Sequence, residues 1–269
     1  MTHSKICATC GTHYPSPGLY DICPICNDDR QYIPEGGQRW TSTDELLSRY
    51  SVRTRLLREN VYELEITPSF AIGQRAFLIL SPQGNILWDC IPLLNEPIIE
   101  FIRAHGGLRA IAFSHPHYYS NMHEWAGVFD CPIYIHQRDE QWMFQKAGRV
   151  DLWKGEEKEL WDGMRLINVG GHFPGSSILH VPDLSQEGVV FSGDTMVIAP
   201  NKQHIAVMYS YPNRMPLPYS EVQRIKKQVD AIPFDELYSF MRDLNITKNV
   251  KEIFARSMER YLSFSGGGR

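Results

Sequence analysis

Three apolar segments of this chain each end in residues that commonly bind metal ions. Residues 108–113 run into His115-Pro116-His117, a second segment ends in the loop that holds His172, and a third ends at Asp194. Side chains alternate along an extended strand, so two histidines two positions apart are predicted to point to the same side. The proline between them favours extended backbone at His115. The alternative is a surface turn that happens to contain two histidines.

The segments around these residues predict a layered α/β protein. Apolar strand patterns alternate with helical ones, and both strand-rich halves of the chain end in a helix. Ser42 and Glu45 have the spacing of a capping box, which predicts the start of a helix. The turn at residues 81–84 predicts a hairpin whose second strand ends at Asp89. A composition of 43% apolar and 12% aromatic residues supplies enough material for a packed core.

Four cysteines set the first 40 residues apart from the rest of the chain. Cys7 and Cys10 form one CxxC pair, and Cys23 and Cys26 form a second. Gly11 and Asn27 follow the two pairs and tolerate positive φ, as the turns of a tetrahedral four-cysteine zinc site require. Two disulfides are the alternative. The segment is too short to build its own core, so we expect zinc to supply its folding energy and the segment to serve in docking or dimerisation.

Composition also limits the compartment and the partners. The net charge of −4 disfavours a nucleic-acid partner, because such proteins usually carry a basic excess. No apolar run approaches the length of about 20 residues that a membrane-spanning helix needs. The N-terminus lacks the apolar segment of a secretory signal, and six cysteines without such a signal favour a reducing compartment. We therefore expect a cytoplasmic protein that acts on a small molecule.

The histidine and aspartate motifs, taken in order, resemble those of the metallo-β-lactamase superfamily. The shared features are His-x-His after a strand, the Gly-His-x-Pro-Gly-Ser loop at 171–176 and the Ser-Gly-Asp-Thr segment at 192–195. The resemblance covers about Glu63 to Phe264 and implies an αββα sandwich with a metal site along one edge of its two sheets. The predicted parts are a zinc ribbon and linker over 1–40 and a metallo-β-lactamase-like domain over 41–269.

The same resemblance assigns roles to four residues, and the departures from the family pattern argue against a second metal ion. It makes His115, His117 and His172 the imidazole ligands of the first metal and Asp194 an adjacent carboxylate ligand. The family pattern continues as His-x-His-x-Asp-His, but Tyr119 and Ser120 stand at the last two positions. No histidine follows His204, so the family's last histidine ligand is also missing. We therefore expect one metal ion at this site, with His123 as a substitute ligand if a second ion binds.

Three functional hypotheses follow from this ligand set. The first is a mononuclear hydrolase of a small ester, thioester, lactone or amide, in which Asp194 is the base and Tyr119 donates a hydrogen bond to an oxyanion. In this hypothesis the site holds zinc, and Arg214, in a proline-rich loop, binds an anionic group of the substrate. The second is a non-haem iron dioxygenase of the persulfide type that uses His115, His172 and Asp194. The third is a binding or scaffold protein that has lost catalysis.

Overall fold

The computed structural model describes residues 5–15, 20–144 and 149–265. By its internal contacts the chain divides into two compact units, Met1–Trp153 and Lys154–Arg269. The four-cysteine segment belongs to the first unit, and the domain boundary at residue 40 stays a prediction. None of the helices in the described ranges combines the length and apolar character that a membrane crossing requires.

The first unit contains the four-cysteine segment, a large mixed sheet and three α-helices among its described residues. Its elements are β1 (Lys5–Cys7), β2 (His13–Tyr14), β3 (Trp40–Thr41), α1 (Thr43–Arg49), β4 (Ser51–Arg58), β5 (Val61–Thr67), β6 (Arg75–Ile79), β7 (Ile86–Trp88), α2 (Glu96–Ala104), β8 (Ala110–Ala112), α3 (Met122–Phe129), β9 (Ile133–His136) and β10 (Val150–Trp153). Short 3-10 helices lie at Pro116–Tyr118 and Gln137–Trp142. Within the described residues the sheet order is β10-β9-β8-β7-β6-β5-β4.

Strand direction in this sheet changes at β7. Strands β4 to β7 pair antiparallel, whereas β7, β8, β9 and β10 run parallel to one another. The predicted hairpin at 81–84 joins β6 and β7 and is confirmed. Strand β8 is buried on both faces, as is usual for a parallel strand, and its carboxyl end leads directly to His115.

The four-cysteine segment forms a small sheet with the order β2-β1-β3. Its buried centre consists of the four cysteines together with Tyr14 and Ile25. Trp142 and Phe144, which lie outside residues 1–40, pack against this centre. The sequence predicts that a metal ion alone stabilises this segment. In the structure, aromatic side chains from later in the chain also complete its core.

The second unit contains a second sheet and two long helices. Its elements are β11 (Glu157–Glu159), β12 (Arg165–Asn168), β13 (Ser177–Val181), β14 (Val189–Gly193), β15 (Val197–Ile198), β16 (Ile205–Ala206), β17 (Met208–Ser210), β18 (Met215–Pro216), α4 (Tyr219–Asp230), β19 (Glu236–Ser239), β20 (Asn245–Ile246) and α5 (Val250–Ser265). A 3-10 helix lies at Pro182–Leu184. Over the part of this unit that is described, the main sheet has the order β11-β12-β13-β14-β19-β20, with β14 and β19 parallel.

A single apolar core joins the helices and the sheet of the second unit. The apolar faces of α4 and α5 share one buried cluster with residues of β12, β13, β14 and β19. Val222, Ile225 and Val229 of α4 are spaced along one face of that helix, and all three are fully buried. This packing holds the loops that follow β12 and β14, where His172 and Asp194 lie.

Candidate metal centre

His115 and His117 follow β8 on a loop whose backbone changes direction at Pro116. His115 is extended, with φ −171° and ψ 173°, as the residue before a proline should be. His117 lies inside the 3-10 helix Pro116–Tyr118, so the expectation that both histidines share one extended segment is wrong. Proline presets φ for the first position of a helix, and here it turns the chain between the two histidines. Their rings nevertheless lie together, with centroids 5.0 Å apart.

A buried relay orients the imidazole of His115. The Asp89 carboxylate accepts the Ser114 backbone N–H at 2.8 Å and the Ser114 hydroxyl at 2.9 Å. Because the hydroxyl proton goes to Asp89, the 2.9 Å contact between Ser114 Oγ and His115 Nδ1 requires Nδ1–H to be the donor. In this tautomer the lone pair of His115 is on Nε2, which is one of the two ring nitrogens through which a neutral histidine can bind a metal.

His172 lies on the glycine-rich loop that follows β12. Gly170 and Gly171 have φ values of 67° and 84°, in the left-handed region that favours glycine. A Cβ atom on Gly171 would lie 2.9 Å from Ile225 Cδ1 of α4, and that methyl group would have to shift to admit it. His172 Nδ1 donates to the Tyr209 carbonyl at 2.8 Å, because a carbonyl can only accept. The lone pair of His172 is therefore also on Nε2.

Asp194 follows β14 directly and is 9% exposed. Burial raises the pKa of its carboxyl group to about 8. A bound cation acts in the opposite direction, because it stabilises the ionised carboxylate. Asp194 Oδ2 lies 3.9 Å from His172 Nε2. Zn–N and Zn–O bonds of about 2.1 Å each allow a single ion to contact both atoms.

The four residues that the sequence motifs predict as ligands form one potential metal-binding group. His115, His117, His172 and Asp194 each offer one ligand atom, and these atoms all lie within 4.8 Å of one another. Three neutral imidazoles and one carboxylate suit zinc, and nitrogen and oxygen ligands also suit iron. The donor set therefore fits a divalent transition-metal ion.

A second group consists of the four N-terminal cysteines. Cys7 Sγ lies 3.6 Å from Cys26 Sγ, and Cys10 Sγ lies 3.6 Å from Cys23 Sγ. A disulfide bond measures about 2.05 Å, whereas the sulfur atoms of a tetrahedral zinc site with 2.3 Å bonds are about 3.8 Å apart. All six cysteines of the chain are free, so the disulfide alternative is wrong. The group is buried and fits a tetrahedral metal ion.

Hydrogen bonds to sulfur support this interpretation of the cysteine group. Gln38 Nε2 donates to Cys7 Sγ at 3.2 Å, and the Tyr14 hydroxyl lies 3.1 Å from Cys23 Sγ. Burial raises the pKa of the Tyr14 hydroxyl, so this hydroxyl remains protonated and acts as the donor. Gly11 has the predicted positive φ of 77°, whereas Asn27 is not among the described residues with positive φ.

Tyr119, His123 and Arg214 are the other three residues to which the sequence assigns a role at the site. Tyr119 is 5% exposed, and its ring packs edge-on against Phe113. Burial, with the charges of Asp139 and Asp89 adding to it, raises the pKa of the Tyr119 hydroxyl well above its usual value. His123 lies on α3, and Arg214 lies exposed between β17 and β18 with a φ of 54°. Their assigned roles stay predictions.

The sequence motifs did not identify the groups that orient the ligands. In the sequence Asp89 stands out only as the carboxylate that ends a hairpin, and Ser114 belongs to no motif. The carbonyl of Tyr209 carries no signal in the sequence, because every residue has one. An apolar strand that ends in aspartate and a serine next to the first histidine are the features that could have indicated the relay.

Comparison with solved structures identifies the fold. A metallo-β-lactamase from Pseudomonas aeruginosa, FIM-1 in a mono-zinc form, matches with a TM-score of 0.56 and 12% identity over 78% of this chain and 96% of that one. VMB-1 matches with a TM-score of 0.58 and 13% identity over 81% and 99% of the two chains. A B3 metallo-β-lactamase with an active-site glutamic acid matches with a TM-score of 0.52 and 15% identity over 86% and 98%. The chain therefore has the metallo-β-lactamase fold, as the motifs predict.

Comparison of sequences identifies a closer relative. The chain is 38% identical over 261 residues to the uncharacterized protein YmaE of Bacillus subtilis (strain 168), and the alignment covers 96% of this chain and 95% of YmaE. No protein-family model matches the chain. The chain belongs to the same family as YmaE.

Proposed function

We propose that this protein is a metal-dependent hydrolase that acts on a small ester, thioester, lactone or amide and uses a single metal ion. The observation that carries the proposal is the group of His115, His117, His172 and Asp194, whose ligand atoms lie within 4.8 Å of one another on a metallo-β-lactamase fold. Three imidazole ligands that leave the fourth position of a tetrahedral ion to water are typical of catalytic rather than structural zinc sites, and in that arrangement Asp194 lies beside the ion as a base. The tautomers of His115 and His172 support the same assignment.

The environment of residues 119 and 120 supports a single ion. The resemblance places ligands of a second ion at these two positions. Tyr119 is a buried phenol with a raised pKa, which makes it a poor anionic ligand. The Ser120 hydroxyl donates to the Gly11 carbonyl at 2.7 Å and is committed to that contact. The FIM-1 match shows that this fold is also found in a mono-zinc form.

The residues around the site supply positioning and proton transfer. A metal ion held there would lower the pKa of a bound water and polarise the substrate carbonyl. Asp194, beside the three imidazoles, is our candidate general base, because its carboxylate is the one acidic group in the predicted ligand set. Tyr119, protonated at neutral pH, is the candidate donor to the oxyanion. Asp89 and Ser114 hold His115 in its ligating tautomer.

We propose that the four-cysteine group holds a structural zinc ion. Sulfur spacings close to those of a tetrahedral site and the hydrogen bonds from Gln38 and Tyr14 support this assignment. Six free cysteines agree with a reducing compartment, so we propose a cytoplasmic location. We also propose a small-molecule substrate, and a role of the ribbon in docking or dimerisation remains a prediction.

Hydrolysis by zinc-loaded protein tests the proposal. The protein and a His117→Ala variant are assayed against a panel of esters, thioesters, lactones and amides. We expect saturable hydrolysis of at least one class by the wild type and its loss in the variant, because the variant lacks one of the three imidazole ligands. Equal rates for the two proteins across the whole panel would contradict the proposal. Oxygen uptake by iron-loaded protein with a persulfide would instead favour the dioxygenase hypothesis.

A further inference from the structure

The four-cysteine segment is hydrogen-bonded to the loop that carries His115 and His117. The Ser120 hydroxyl, three residues after His117, donates to the carbonyl of Gly11 at 2.7 Å. Gly11 follows Cys10 directly, so this bond joins the first cysteine turn to the histidine loop. Ser120 is 6% exposed and has a φ of 28°. L residues rarely adopt such a conformation unless surrounding contacts hold it.

A second contact joins the backbones of two predicted ligands. Gln74 is 3% exposed, and its Nε2 donates to the Cys10 carbonyl at 2.6 Å and to the His117 carbonyl at 3.3 Å. One side-chain amide therefore bridges a cysteine of the ribbon and a histidine of the candidate metal site. Both bonds are buried, and a buried amide that loses such partners is costly.

The cysteine turn also packs closely against the region that follows β7. A Cβ atom on Gly11 would lie 2.8 Å from Pro92 Cγ, so only glycine allows this approach. His13 Nε2 lies 3.0 Å from the Pro92 carbonyl, and burial lowers the pKa of His13 to about 4. The ring is therefore neutral at pH 7 and donates to that carbonyl. These contacts attach the ribbon to the rest of the first unit, which carries His115 and His117.

We propose that the four-cysteine zinc site positions the histidine metal site, with Ser120 and Gln74 as the positioning residues. The inference rests on the proposed metal binding by His115 and His117. Position 120, where the resemblance places a ligand of a second ion, serves here to anchor the ribbon. A loop that is already ordered loses less conformational entropy when its histidines bind a metal. Because binding linkage is reciprocal, each metal strengthens the binding of the other.

Cobalt(II) binding by the full-length protein tests this proposal. The ribbon is loaded with zinc, and the histidine site is then titrated with cobalt(II) against a competing chelator, with visible absorption reporting the ligand environment. Ser120→Ala deletes one hydroxyl, and Gln74→Met keeps the length of the side chain but removes its donor. We expect each variant to bind cobalt(II) about 10-fold more weakly, within the range for residues that orient metal ligands.

Ser257→Ala is the matched control. The Ser257 hydroxyl is also buried, and it donates to the Ile253 carbonyl at 2.6 Å and accepts the Ile205 N–H at 3.0 Å. Neither of these hydrogen bonds involves the ribbon or the histidine loop. We expect its cobalt(II) affinity to equal that of the wild type. Wild-type affinity in Ser120→Ala and Gln74→Met, or an equal loss in Ser257→Ala, would overturn the proposal.

Affinity and hydrolysis separate this proposal from the proposed function. A wild type that binds cobalt(II) but hydrolyses nothing would refute the hydrolase assignment, while the 10-fold affinity differences would still support the positioning role. Hydrolysis by the wild type with unchanged affinities in both variants would refute only the positioning role. A wild type without cobalt(II) at the histidine site would contradict both.

Discussion

Asp89→Asn is expected to weaken metal binding at His115 without changing the shape of the side chain. The left-handed φ of 63° at residue 89 is tolerated by asparagine as well as by aspartate. In the variant, the side-chain carbonyl oxygen of residue 89 still accepts the Ser114 N–H. The amide NH₂ then takes the place of the second carboxylate oxygen, faces Ser114 Oγ and donates a hydrogen bond to it. The hydroxyl proton must then point to His115 Nδ1, which moves the imidazole proton to Nε2. This tautomer presents N–H instead of a lone pair at the nitrogen assigned to the metal.

The expected loss of metal affinity is that of removing one hydrogen bond from a group that orients a ligating histidine. Asp89 accepts two bonds from Ser114, at 2.8 and 2.9 Å, and only the one from the backbone N–H can survive the substitution. Changes to groups that orient a ligating histidine cost about 10- to 100-fold in metal affinity. At about 1.4 kcal/mol per factor of ten, this loss is about 1.4 to 2.8 kcal/mol of binding free energy.

Chelator competition and nitrogen-15 NMR of the histidines measure the two consequences. Metal affinity should fall in Asp89→Asn, and in the metal-free variant the His115 ring should show the Nε2–H tautomer instead of Nδ1–H. Ser114→Ala removes the connecting hydroxyl and should lower affinity without imposing the Nε2–H form. If Asp89→Asn binds metal as tightly as the wild type and keeps the Nδ1–H tautomer, the relay does not orient His115.

Three further substitutions test separate parts of the account. Tyr119→Phe should lower kcat about 100-fold and leave metal affinity unchanged if the hydroxyl donates to the oxyanion, and an unchanged kcat would remove it from the chemistry. Arg214→Ala should raise KM for an anionic substrate about 5-fold at constant kcat, and an unchanged KM would refute substrate binding by this residue. Gly11→Ala should lower the free energy of unfolding by about 1 to 3 kcal/mol. The alanine would have to adopt a φ of 77°, and its Cβ atom would lie 2.8 Å from Pro92 Cγ. Gly36→Ala, with no atom within 4 Å of the added Cβ, is its control in denaturant unfolding and should change little.

Local patterns predicted the elements whose signals are local. The capping box is confirmed, since the Ser42 hydroxyl accepts the Glu45 N–H at 3.2 Å at the start of α1. The strand predicted over 108–113 is shorter, at Ala110–Ala112, because pairing with both neighbouring strands rather than apolar composition sets its length. The prediction of extended backbone at His117 is wrong, because the tendency of proline to begin a helical turn outweighs the strand pattern there.

Contacts distant in sequence explain what the sequence could not predict at the site. Gln74 is 64 residues from Cys10 and 43 residues from His117, yet its amide bonds both carbonyls. Ser120 is 109 residues from its partner Gly11. Glutamine and serine carry no pattern that indicates such a role, and a carbonyl acceptor is present at every residue. The ligands were predictable because their side-chain chemistry is distinctive, whereas the groups that position them were not.

Metal content tests most directly the central claim that each chain holds one structural ion and one ion at the histidine site. Elemental analysis of the purified full-length protein should give two metal ions per chain, and His172→Ala should retain one, because the cysteine group is unchanged. Three ions per chain in the wild type would contradict the single-ion site. The same number in His172→Ala as in the wild type would show that His172 is not needed to hold an ion.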